Sequence, residues 1–162
     1  MATTYSVGEG QTYETISALI EGVGGLQTGD IIELTSNITD SGITIDATDV
    51  TIRSAEGLKC EIAAANELES IFTISNGAED ASALNVTISN VVLTGADFSA
   101  LPTSEQAHVG GAISIDDANV TLNVIGSTFS NNTAQVGGAI GVTGNSDNYS
   151  LVVDDSLFSG NY

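Results

Sequence analysis

The sequence predicts an all-β chain, a parallel β-helix closed at its N-terminal end by one amphipathic helix. Three observations predict it. The pentapeptide VGGAI occurs at 109–113 and again at 136–140, and each copy is followed by an alternating apolar run and then by FSNN (129–132) or FSGN (158–161). A second phrase, [DN]-V-T-[IL], stands at 49–52, 85–88 and 119–122. Each of its copies follows an alternating stretch: GITI (42–45), IFTI (71–74) and AISI (112–115). Three short strands separated by turns, repeating every 25–40 residues or roughly so, are the signature of a solenoid, whose units bury their faces only on their neighbours. A β-sandwich is the main rival, but it leaves the verbatim recurrence unexplained.

Composition agrees. The chain has 162 residues, enough for one domain (1–162) with a real core. Hydrophobic residues make up 41 % and aromatics only 5 %, so the apolar content is largely Ile, Val, Leu and Ala. Mixed with Thr, Ser, Asn and 18 Gly, it favours strands and turns over helices. The charge is lopsided: 21 acidic residues face only Arg53 and Lys59, for a net charge of −19. Nucleic acids and anionic membrane surfaces are thereby excluded as partners, because both demand clustered cations. The charge suits a solvated surface in an extracellular or salty medium. Neither a secretory signal peptide nor an apolar stretch of about 18 residues is visible, so no membrane insertion by this segment is expected. Cys60 has no cysteine to pair with, and in GLKCEIAA the alternation places Leu58, Cys60 and Ile62 inward as small buried hydrophobes.

The elements follow in order. In TYETISALIEGVGG the apolar Tyr13, Ile16, Leu19, Ile20 and Val23 line one face of a helix over 12–23, with Thr12 as its cap and Gly22 to Gly25 as its stop. Laid across the open end of the first coil, this helix would cover apolar surface. Residues 30–162 form the coils. One wall takes Ile43/Ile45, Phe72/Ile74, Ile113/Ile115 and Ile140/Val142 inward; a second takes Val50/Ile52, Val86/Ile88 and Val120/Leu122. A third strand comes from NVVLTG (90–95), GSTFSNN (126–132) and DSLFSGN (155–161). Gly110-Gly111 and Gly137-Gly138 mark a corner that needs positive φ or the close approach of a neighbouring coil. Phe129 and Phe158 stack inside, and Asn132 and Asn161 stack at a turn with their amides on backbone groups. Residues 95–109, which hold the one Pro and the one His, read as a loop thrown out from a coil. No cap is visible after Phe158 and Asn161, so the last coil is expected to present an edge for further chain or another subunit.

Positions 110–161 resemble the repeats of polymorphic outer membrane proteins, autotransporter-type surface adhesins whose repeats pair GGA[ILV] with FxxN. The matching residues are GGAI at 110–113 and 137–140, FSNN at 129–132 and FSGN at 158–161. The N-terminal part, YSVGEGQTYETISALIE through GDIIELTSNIT, looks like the opening of many pectate-lyase-like helices. The resemblance implies a right-handed parallel β-helix, display at the cell surface, and adhesion to a host or cell-surface glycan or protein.

Candidate chemistry is thin. A polysaccharide lyase needs a cationic base and clamps for substrate carboxylates, which one Arg and one Lys do not easily supply. The adjacent pairs Asp116-Asp117 and Asp154-Asp155 could qualify as glycosidase carboxylates on composition, yet strand-end Asp is a routine turn former. The oxygen-rich turns DDAN (116–119) and GNSDN (144–148) make Asp116, Asp117 and Asp147 the candidates for a calcium ion, without the spacing of a known calcium loop. His108 has no ligand partner in sequence. The reading is therefore a non-enzymatic extracellular rod with no required cofactor. Its alternatives are a self-assembling filament or virion-fibre protomer stacked head-to-tail through the last coil, and a carbohydrate-active enzyme of the same fold.

Overall fold

A computed structural model describes residues 2–75, 83–101, 108–116, 119–143 and 148–162. Among these residues the chain is mostly β, with parallel sheets and one α-helix. It runs through β1 (Thr4–Val7), α1 (Ile16–Val23), β2 (Ile31–Leu34), β3 (Ile38–Thr39), β4 (Ile43–Ile45), β5 (Val50–Ser54), β6 (Glu61–Ala63), β7 (Phe72–Ile74) and β8 (Leu84–Ser89). It continues through β9 (Val92–Thr94), β10 (Ile113–Ile115), β11 (Val120–Ile125), β12 (Thr128–Ser130), β13 (Ile140–Val142), β14 (Tyr149–Asp154) and β15 (Leu157–Ser159). The strands fall into three sheets: β1-β2-β5-β8-β11-β14, β3-β6-β9-β12-β15 and β4-β7-β10-β13. From β2 onward the chain visits the three sheets in strict rotation, and every pairing is between equivalent strands of successive rounds.

Period-two alternation decides which residues are buried. Ile43, Phe72, Ile113 and Ile140 stand in one register row, and Ile45, Ile74, Ile115 and Val142 in the next. The five-stranded sheet supplies the row Ile38, Ile62, Leu93, Phe129 and Phe158. All of these but Phe158 belong to a single hydrophobic cluster, with Ile140 and Val142 partly buried at its edge, and each fully buried Ile, Leu or Phe contributes about 1.5–3 kcal/mol. The second wall departs from the phrase alignment. Val50 pairs with Val86 as expected, but Val86 pairs with Leu122 rather than Val120. The third [DN]-V-T-[IL] copy is thus slipped by one full pleat, which leaves the same face inward. In the last round the same positions are half open: Leu151, Val153 and Phe158 are 47 %, 45 % and 41 % exposed.

Four further expectations are corrected. The helix starts at Ile16 with Thr15 as its cap, not at Thr12; the Thr15 hydroxyl accepts from the Ala18 amide at 3.2 Å. Tyr13 is held extended against Val7, and its carbonyl accepts from the Gly8 amide, so residues 12–14 are unavailable to the helix. The helix does end where glycine predicts, with Gly24 at φ 75°. Leu58 is exposed rather than inward, because Ala55 and Leu58 close a turn; Cys60 and Ile62 are buried. Within 95–109 the described flanks do not stand off the body: Phe98, in a short 3₁₀ turn (Phe98–Ala100), is buried and its amide donates to the Thr133 carbonyl. Finally, a strand, β1, precedes the helix: TYSV does alternate, with Tyr5 and Val7 on one face, but a run of four residues is too short to stand out in sequence.

Helix α1 buries Ile16 and Leu19 in the core beside β1, the edge of the six-stranded sheet. Its start is pinned by the largely buried Asp40, just after the edge strand β3, which accepts from the Ser17 amide (2.9 Å), the Ser17 hydroxyl (2.7 Å) and the Ser41 amide (3.1 Å). A carboxylate there also faces the positive end of the helix. Asp40→Ala is expected to destabilise the fold by about 2 kcal/mol, and Asp40→Asn by less. Urea unfolding checks both; an unchanged midpoint for Asp40→Ala would show that the helix is held by apolar contacts alone.

Candidate functional site

Two constellations stand out: the repeat corner, and a cleft on the outer side of the four-stranded sheet. At the corner the two glycines of each pair do different work. Gly110 and Gly137 have φ of 71° and 64°. A Cβ on Gly111 would lie 2.0 Å from the Gly138 carbonyl oxygen, and one on Gly138 would lie 2.3 Å from that of Tyr162. The first glycine turns the chain; the second lets the next round sit directly above.

Beside the glycines runs an asparagine ladder. Fully buried Asn132 donates to the Leu93 carbonyl (3.1 Å) and to Asn161 Oδ1 (3.0 Å), and its Oδ1 accepts from the Ala96 amide (3.3 Å). One round on, Asn161 donates to the Phe129 carbonyl (2.9 Å) and accepts from the Asn132 amide (3.1 Å). Phe129 and Phe158 stack with ring centroids 4.7 Å apart and planes 4° from parallel, although Phe158 is only half covered. A serine ladder, unforeseen in the sequence, marks the preceding corner. Ser127 Oγ accepts from the Val91 amide, and Ser156 Oγ accepts from the Ser127 amide at 3.0 Å.

The cleft has a volume of about 330 Å³ and lies over the outward positions of the four-stranded sheet. Thr44, Thr73 and Ser114 occupy one outward register row, and Gly141 ends it without a side chain. Thr73 and Ser114 line the cleft, and among the described residues Glu69 and Asp116 are its two carboxylates. One wall is His108, stacked on Phe98 with centroids 5.2 Å apart. Asp97, at the start of the turn that carries Phe98, is held below the usual carboxylate range by the Ser99 hydroxyl and then by the Ser99 amide. Ser70 donates to the Gly110 carbonyl at 2.6 Å, and Thr143 donates to Asp116.

Of the calcium candidates, Asp116 lies in this cleft, while Asp117 and Asp147 fall outside the described residues. Among the described residues no three His, Cys, Asp or Glu side chains gather so as to hold a metal ion. Asp154 ends β14 and Asp155 turns the chain at φ 46°. Arg53 faces outward and is committed to Glu33, its cross-strand neighbour, at 2.8 Å. Glu69, Thr73 and Ser114 were not singled out in the sequence. Thr73 and Ser114 were findable as the third letters of the aligned phrases IFTI and AISI, whereas Glu69 had no such signal. No protein-family model matches the chain, and no curated protein or solved structure matches it. Among the described residues no helix is long and apolar enough to cross a membrane.

The glycine geometry yields a contrast. Gly111→Ala drives a methyl into backbone of the next round and is expected to cost more than about 4 kcal/mol or to prevent folding. Gly57→Ala, at φ 77° but with open space around it, is expected to cost about 1–2 kcal/mol. Urea midpoints of the two variants check this, and equal losses would mean that inter-round approach is not what selects the second glycine.

Proposed function

We propose that the chain is a right-handed parallel β-helix serving as a rigid, acidic, non-catalytic rod at a cell surface or in the extracellular medium, in the manner of an adhesin. The observation that carries this reading is the rotation of the chain through three parallel sheets with equivalent residues paired round upon round. Such stacking lengthens without changing cross-section, which suits a spacer or display element. Right-handedness follows from the preference of crossovers between parallel strands of one sheet. The resemblance of the GGAI and FxxN phrases to outer-membrane adhesin repeats supports the same assignment.

The case against catalysis is chemical. Among the described residues the cleft holds two carboxylates and one imidazole, and Arg53 is tied to Glu33 on a different sheet. A lyase acting on acidic polysaccharides would meet carboxylates where it needs cations. Incubation with polygalacturonate, with and without calcium, is expected to release no unsaturated product. Calcium at about 1 mM is expected to leave the melting temperature unchanged, whereas a site with Kd near 10 μM would add about 2.7 kcal/mol. Cleavage would overturn the non-catalytic reading, and a rise of several degrees would restore a calcium site.

A second reading is self-association of the 162-residue polypeptide, favoured by half-exposed Leu151, Val153 and Phe158 on the core side of the last round. Head-to-tail growth would need an open face at the other end, where α1 packs against β1. Two last rounds meeting face to face would instead close as a two-fold dimer. Sedimentation velocity over a concentration series is expected to show monomer and dimer without longer species, and Phe158→Lys to leave monomer; filaments would restore head-to-tail stacking.

A further inference from the structure

We infer that the cleft between Glu69 and Asp116 is a binding site for amino sugars carrying a free, protonated amine, as in an unacetylated glucosamine oligomer. The inference rests on the reading of the chain as a non-catalytic binding rod, and names the chemistry its flank would recognise. Thr73 and Ser114 are register neighbours on paired strands, which lie about 4.8 Å apart, and neither hydroxyl bonds to another described residue. Each can both donate and accept, which is what a sugar hydroxyl asks of a protein. The Glu69 carboxylate makes no side-chain bond to a described residue either, and Asp116 keeps one oxygen beyond the one Thr143 engages.

Charge decides the class of sugar. Two carboxylates repel uronates, sulfates and phosphates and attract a cation, all the more on a chain of net charge −19. A bare metal ion is disfavoured because no three ligating side chains converge among the described residues. What fits is a cation spread on a hydroxylated frame: an ammonium at the carboxylates, ring hydroxyls over Thr73 and Ser114, and the apolar face of a pyranose against the imidazole of His108. At about 330 Å³ the cleft is within the range of small-ligand sites.

The test is isothermal titration with a tetramer of β-1,4-linked glucosamine at about pH 6, where its amines are charged, in roughly 0.15 M salt to screen diffuse attraction. Glu69→Gln is expected to weaken binding about tenfold, the worth of one charge-assisted hydrogen bond, and Thr73→Val with Ser114→Ala by several-fold. Glu14→Gln, the same charge change on an exposed residue before α1, is expected to change affinity less than about twofold. All three sets of substitutions are at outward positions, and matching melting curves verify their folds. Absence of heat, equal losses from Glu14→Gln and Glu69→Gln, or equal binding of the fully acetylated tetramer or of a galacturonate oligomer would overturn the site. Mass spectrometry of the recovered sugar separates the two readings: cleaved oligomer sinks the non-catalytic rod while sparing the site, and intact oligomer without binding does the reverse.

Discussion

Every ladder hydrogen bond in the three sheets runs from one round of the chain to the next, and the rest of the structure follows from that. Rounds lie one strand spacing apart, about 4.8 Å, so each side chain has its counterparts from neighbouring rounds directly above and below. Apolar rows satisfy this without further demands, as in Ile43, Phe72, Ile113 and Ile140. A polar inward residue is tolerable only if the adjoining rounds supply its partners. Asn132 is fully buried because Leu93, Ala96 and Asn161 answer its amide, and Ser127 because Val91 and Ser156 belong to neighbouring rounds. The second glycine of each pair obeys the same constraint from the other side. Where two rounds of backbone must touch, even a methyl is excluded.

The constraint also explains what could be read from the sequence. Inward rows were legible because alternation of Ile, Val and Phe reports one buried face, and the recurring phrases report which strands share a sheet. The one-pleat slip between Val86 and Leu122 was not legible, because a shift of two residues leaves every side chain on its own face. Helix α1 was readable as amphipathic, but its first turn was decided by the competing extension of Tyr13 beside Val7. Leu58 followed the alternation in sequence and yet lies in a turn, where alternation has no meaning.

The cleft was harder to see for a related reason. Its floor comes from outward strand positions, which alternation marks only as not core. Its rim comes from turns of separate rounds: Glu69 before β7 and Asp116 after β10. Stacking brings them to one side of one sheet, although nothing local links them. His108 and Phe98 flank the stretch 102–107 and meet as a stacked pair, a contact that neither residue's immediate neighbours announce.

Stacking finally bears on where so acidic a chain can keep its charge. A carboxylate on a paired outward position would face the same position of the next round at strand spacing, where like charges are destabilising. The strands respect this. Glu33 faces Ser6 and Arg53, Glu61 faces Val92, and Asp154 faces Ile125, so among the described residues no two carboxylates are direct neighbours in a paired row. Thr44, Thr73 and Ser114 instead make a row of hydroxyls, which stack without repulsion. Acidic residues such as Asp30, Asp40, Asp49, Glu56 and Asp116 therefore collect in the turns, where chain direction changes and successive rounds need not superimpose. That division places a neutral hydrogen-bonding floor between acidic rims along the flank of the four-stranded sheet. The polarity of the cleft thus follows from what stacked strands permit and from what they drive into the turns.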